Sequence, residues 1–250
     1  MSVLIRVIAA TATMIATLSP ALAGCNDPPA PGVNWFSCDR VEADLADVDL
    51  EGAILGRSRL TDADLSGAHL RRADLTDVSA AGAVFRGANL SRARLTSANL
   101  EGADLSDTDL RDARLGRTNL EGADLSGVRG SGIDLSSSEM RGARLEGSDL
   151  EGADLRRAGL RELRAAGAVL AGAELRGADL EGADLSDAVL RQADLRDTSL
   201  VDAELSGSDL SRADLRGADV SGATFEGAEL GSTLWTDGRR CRPGSVGSCD

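Results

Sequence analysis

The sequence has no Tyr and no Lys, a single His, three Phe and two Trp. Compact domains draw much of their buried area from large aromatic side chains, so a chain whose apolar content is almost all Ala and Leu points to a thin, repetitive core. His69 stands alone, with no cysteine near it, so neither a zinc site nor a histidine-based catalytic triad can be assembled. The Gly-Gly-x-Gly-x-Asp nonapeptide of calcium-binding β-helices does not occur, and neither does a phosphate-binding loop. Carboxylates are abundant, but their regular spacing follows a repeat and nothing suggests a pocket that would shift their pKa values. No cofactor, no metal and no catalytic residue is therefore expected.

Met1 to Ala23 read as an export signal. Arg6 is its single charge, Val7 to Leu18 is an apolar run, and Ala21-Leu22-Ala23 is a small-x-small cleavage site. Pro20 and the shortness of the run argue against a membrane span, which needs about 20 apolar residues. Without the signal, 26 Arg face 41 Asp and Glu, a formal charge of −15. Nucleic acid and anionic membrane surfaces are not expected as long-range partners of so acidic a chain.

Four cysteines flank the rest. Cys25 and Cys38 bracket a Pro-rich segment, and Cys241 and Cys249 bracket Arg242 to Ser248. An even count at the two ends of an exported chain suggests two local disulfides. A competing reading is open at Cys25, because Leu22-Ala23-Gly24-Cys25 resembles the bacterial lipobox, whose cysteine becomes a lipidated N-terminus. The expected location is the periplasm or the medium, or the outer envelope if Cys25 is lipidated.

Every fifth residue from Leu45 to Leu230 gives 38 positions, and all but seven are Leu. Two residues before each, the side chain is small: Ala43, Ala53, Ala63, with an occasional Val48, Ser58 or Thr108. Two positions in five thus face inward, a pattern that neither a helix nor a strand period produces. Gly or Asp recurs two residues after the centre, as at Gly102, Asp107 and Asp112, which is turn chemistry in every repeat. Where a centre shrinks its partner grows, with Val78 beside Ala80, Val128 beside Gly130 and Leu163 beside Ala165, as close packing requires.

The unit Ala-Asp/Asn-Leu-x-x, as in Ala103-Asp104-Leu105, resembles the pentapeptide repeat family without a gap from Leu45 to Leu230. That resemblance implies an all-β, right-handed quadrilateral β-helix with four pentapeptides per turn. About nine and a half coils would make a rod roughly 45 Å long at the usual strand spacing. The expected organisation is a signal at 1–23, an N-terminal cap loop at 24–40, the β-helix at 41–235 and a C-terminal cap loop at 236–250. Trp35 and Trp235 lie in the five-residue register and read as end caps covering the terminal coils.

With four repeats per turn, residues 20 apart stack. Arg156, Arg176, Arg196 and Arg216 then form a basic ladder beside an acidic one of Asp134, Asp154, Glu174, Asp194 and Asp214. This is a candidate docking strip for an unidentified protein partner, on a non-enzymatic exported scaffold. Some pentapeptide repeat proteins bind DNA gyrase through an acidic rod that imitates DNA, and the net charge fits that alternative, but export and the Arg ladder oppose it. A carbohydrate-active enzyme is disfavoured because no inserted loop could wall a cleft. Intact-mass measurement separates the two fates of Cys25: a chain beginning at Gly24 with no added lipid supports the disulfide, whereas a diacylglyceryl increment on an N-terminal Cys25 removes it.

Overall fold

The computed structural model describes residues 24–249, and the export signal expected at 1–23 lies outside them. Parallel bridges join each residue before a centre to the one 20 positions later, from Asn34↔Ile54 to Asp214↔Leu234, so one coil takes four pentapeptides. The coil has four faces, numbered here by their centres: face 1 through Leu45 and Leu65, face 2 through Leu50 and Leu70, face 3 through Trp35 and Leu55, and face 4 through Leu60 and Ala80.

Each corner is a tight turn. Ala53 donates its amide to the Leu50 carbonyl at 3.0 Å across Glu51 and Gly52. Gly52 has φ of 65°, and the equivalent residue of nearly every repeat is also left-handed, the requirement of the third position of a type II turn. The residue before the centre braces that turn. Asp49 Oδ1 accepts the Glu51 amide at 3.0 Å, and Asp64 and Asp74 accept those of Ser66 and Thr76 in the same way. Asp and Asn are suited to this because their short side chains reach the backbone two residues on.

The centres and their small partners fill the interior, and nearly all have no exposed surface. Ser and Thr enter it at the small position by donating to a main-chain carbonyl, as Ser138 does to Leu135 at 2.7 Å and Thr108 to Phe85 at 3.0 Å. The exchange of volume between centre and partner is visible at Gly130. A Cβ there would sit 2.7 Å from Leu150 Cδ2 and 3.2 Å from Val128 Cγ1, so Val128 occupies space a larger centre would take. The bridges continue through all three exchanges, at Ser79↔Asn99, Arg129↔Asp149 and Arg164↔Asp184.

The coil begins earlier than the Leu repeat. Residues 32–40, assigned from sequence to the cap loop, already stack in register: Gly32 donates to Glu51 and Trp35 to Ile54, each at 2.8 Å. Trp35 and Val33 take the places of Leu and Ala there, which hides the first coil from a search for Leu. Trp35 is buried, donates its indole N–H to the Asp27 carbonyl at 3.1 Å and is stacked under the Arg40 guanidinium at 4.1 Å. At the other end Trp235 meets Phe225 edge-on at 5.3 Å. The chain then reverses and pairs antiparallel with the last coil, at Leu234↔Arg240 and Glu229↔Val246. Both disulfides, Cys25–Cys38 and Cys241–Cys249, are formed.

Gly130→Leu should destabilise the coil by about 1–3 kcal/mol even though it restores the repeat, because it overpacks against Val128 and Leu150. Adding Val128→Ala should recover most of that loss. Chemical denaturation of the two variants checks this, and equal stability of the single and double variants would contradict the volume exchange.

Candidate interaction surface

The charged ladders lie on face 3, where the acidic residue before the centre often has a structural task already. Asp154 accepts the Arg156 amide at 3.1 Å as a turn brace, and its two oxygens also take Nε and Nη2 of the Arg156 side chain. Arg196 closes the same fork on Asp194 at 2.7 and 2.5 Å, and Arg216 on Asp214 at 2.9 and 2.7 Å. Two of the forks reach toward the next coil, with Arg156 3.1 Å from Glu174 and Arg196 3.8 Å from Asp214.

Arg176 breaks the pattern. The side chain at its brace position is Glu174, one methylene longer, and its carboxylate engages Arg156. Arg176 turns around the corner instead and pairs with Asp197, at 3.1 Å through Nε and 3.0 Å through Nη2. The contacts link Asp154, Arg156 and Glu174 in one group and Asp194, Arg196, Asp214 and Arg216 in another, and Arg176 is diverted from both. Asp134, below them, accepts the Ser136 amide and hydroxyl and has no guanidinium fork.

Side chains outside the ladders complete this region. Arg156, Arg157 and Arg176 surround an open depression of about 620 Å³ with Ser136, Ser137, Gly177 and Asp197. Arg157 and Asp197 were not singled out in the sequence. They share one vertical column with Gly177, which in sequence is one more turn glycine. No group of His, Cys, Asp or Glu among the described residues is arranged to hold a metal ion, and no helix among them is long and apolar enough to cross a membrane. His69 is exposed on face 2. Cys25 and Cys38 share a disulfide, and the same Cys25 sulfur could not also carry a lipid thioether.

The forks have an electrostatic signature. Hydrogen bonds from Arg156, Arg196 and Arg216, outweighing partial burial, hold the carboxyls of Asp154, Asp194 and Asp214 below the usual carboxylate range. The same bonds push the Arg156 and Arg196 guanidiniums up. A depressed folded-state value contributes stability above the unfolded value of about 3.9 and loses it as pH falls through the folded one. Thermal unfolding should therefore be nearly level from about pH 8 to pH 5 and fall steeply only below about pH 4. Arg196→Gln should therefore be less stable than the unaltered protein above about pH 5, with the gap narrowing as pH falls below about pH 4, and a gap that does not change with pH would show that the fork does not set the profile.

Sequence comparison matches the description "Pentapeptide repeats", in 8 copies, to residues 43–79, 73–112, 113–152, 153–192 and 188–227. Among solved structures, HetL, a pentapeptide repeat protein involved in heterocyst differentiation regulation from the cyanobacterium Nostoc sp. strain PCC 7120, is 32% identical. That alignment covers 77% of this chain and 91% of HetL, with a TM-score of 0.43. QnrB1, a plasmid-mediated fluoroquinolone resistance protein, is 24% identical over 70% of this chain and 85% of its own, with a TM-score of 0.54, a likeness of fold. No match was found among curated proteins. The repeat match spans well over half of the sequence, and its geometry is the right-handed quadrilateral β-helix of these relatives: the chain belongs to the pentapeptide repeat family.

Proposed function

We propose that this chain is an exported, non-enzymatic binding rod, and that a protein partner docks along the C-terminal half of face 3. The observation that carries the reading is the fork of Asp154 with Arg156, repeated at Asp194 with Arg196 and Asp214 with Arg216. Bidentate pairing fixes guanidiniums that would otherwise sample many rotamers, so a partner meets a pre-ordered row of donors at little further entropy cost. About half of the Arg156 and Arg216 side-chain surface remains accessible, 54% and 50%. Disulfides at both ends suit an oxidising compartment, in keeping with the export signal read from the sequence.

The net charge of −14 and the likeness of fold to QnrB1 favour a second reading, an acidic mimic of DNA bound by a DNA-processing enzyme. Against it, ion pairs interrupt the acid columns on every face, as at Arg59 with Asp39, Arg71 with Glu51 and Arg86 with Asp104. The two readings separate by experiment. Capture from an envelope fraction by the mature protein should lose its partner at least tenfold in Arg176→Glu/Arg196→Glu. The variant's unfolding midpoint should fall only slightly, since exposed pairs contribute about 1 kcal/mol or less. Unchanged capture would remove the face 3 reading, and inhibition of gyrase supercoiling by the purified protein would put the DNA mimic in its place.

A further inference from the structure

We infer that the depression on the face 3 to face 4 corner, formed by Arg156, Arg157, Arg176, Ser136, Ser137 and the gap at Gly177, is a binding site for a phosphoryl group. Three guanidiniums and one carboxylate, Asp197, line it, in a protein whose formal charge is −14. Two of those guanidiniums are held by other residues and still have donors to spare. Arg156 uses Nε and Nη2 on Asp154, and Arg176 uses the same two atoms on Asp197, which leaves Nη1 of each uncommitted. Arg157 has no side-chain hydrogen bond or ion pair among the described residues, so a whole guanidinium with five N–H donors is available. Among the described residues the Ser137 hydroxyl is likewise unengaged, whereas that of Ser136 is bonded to Asp134.

The space comes from a missing side chain. In the column Arg117, Ser137, Arg157, Gly177, Asp197, the glycine has φ of 68°, and a Cβ built on it meets nothing nearer than Arg157 Cγ at 3.8 Å. The resulting volume lies within the roughly 300–1,000 Å³ of small-molecule sites. Donors approach it from Arg157 and Ser137 in one column and from Arg156 and Arg176 in the next. A flat carboxylate can use one such fork, while a tetrahedral dianion with three free oxygens can use several, which favours phosphoryl over carboxylate. The phosphoryl group could be carried by a soluble molecule or by a membrane headgroup. The site is independent of the protein-docking reading, since it is assayed without a partner.

The test titrates the mature, disulfide-bonded protein with inorganic phosphate by calorimetry at low ionic strength, with chloride as the reference anion. Saturable binding with Kd below about 1 mM is expected. Arg157→Gln and Gly177→Asp should each weaken it at least tenfold. Asp already occupies the left-handed position of that column at Asp77 and Asp197, so the Gly177→Asp coil should fold. Gly102→Asp, the same charge change at a turn of face 4 away from the depression, should leave binding unchanged. No saturable binding, or equal weakening by all three variants, would overturn the proposal. In parallel, co-sedimentation with phosphatidylcholine vesicles with and without phosphatidic acid assigns the source. Pelleting that depends on phosphatidic acid and is lost in Arg157→Gln supports the site with a headgroup as its ligand. Phosphate binding without pelleting supports it with a soluble one.

Discussion

Leu45 donates its amide up to the carbonyl of Asp64 at 2.7 Å, and Asp64 donates its own down to Ala43 at 2.9 Å. That pair of bonds, repeated on each face, makes every coil the template for the next. Side chains 20 residues apart must land on one another, so an inward position stays inward along the rod. One inserted residue would move every later Leu off its face, as a slip of register does in any sheet. The unbroken spacing of five from Leu45 to Leu230 is what such templating demands, and it leaves the three outward positions free to differ.

The turns impose the second requirement. Arg57, Arg117 and Arg157 hold φ of 57°, 60° and 58°, a conformation that costs an L-residue about 1–2 kcal/mol. Gly removes that cost where it occurs. Elsewhere the turn is held by its neighbours in the coil and, where an Asp or Asn stands before the centre as at Asp154, by that side chain accepting the first turn amide. Much of the protein's acidity is therefore turn chemistry. The Arg side chains two residues after several of these acids, at Arg111, Arg156, Arg196 and Arg216, return the charge within the same repeat. The count of 41 acidic residues therefore overstates the negative surface that a partner meets.

These two requirements explain what could be read from the sequence. The Leu and Ala positions, the absence of breaks and the pairing of Val128 with Gly130 are packing constraints, and packing writes itself into residue type. The stacking interval of 20 came from the family resemblance, because the number of repeats per coil depends on how the turns close and has no residue-level signature. Asp154 and Asp194 were read as a surface ladder, while their bonds to the Arg156 and Arg196 amides needed the backbone path. The departure of Arg176 follows from one methylene in Glu174. The depression beside it depends on Gly177, which as one more turn glycine carries no signal of its own.

A templating coil also has to be stopped, and the two ends do this differently. At the start, Gly24 reaches the Asn34 carbonyl at 3.1 Å and the Cys25–Cys38 bond holds the leading segment against the first coil, with Arg40 across the Trp35 ring. At the end the chain changes direction: Trp235 donates to Arg239, Cys241 to Thr233, and Leu230 to Ser245. An antiparallel strand cannot continue a parallel stack that needs 20 residues per turn, so reversal ends the growth of the solenoid as well as covering its edge. The Cys241–Cys249 ring keeps the reversed strand closed, and Arg239, Arg240 and Arg242 place charge along it, which opposes pairing with a further edge. The reversed strand lies over faces 2 and 3 of the last coil, while Val220 and Phe225 on faces 4 and 1 stay partly exposed. Termination of the rod thus rests on changing strand direction at two faces rather than on burying the whole end.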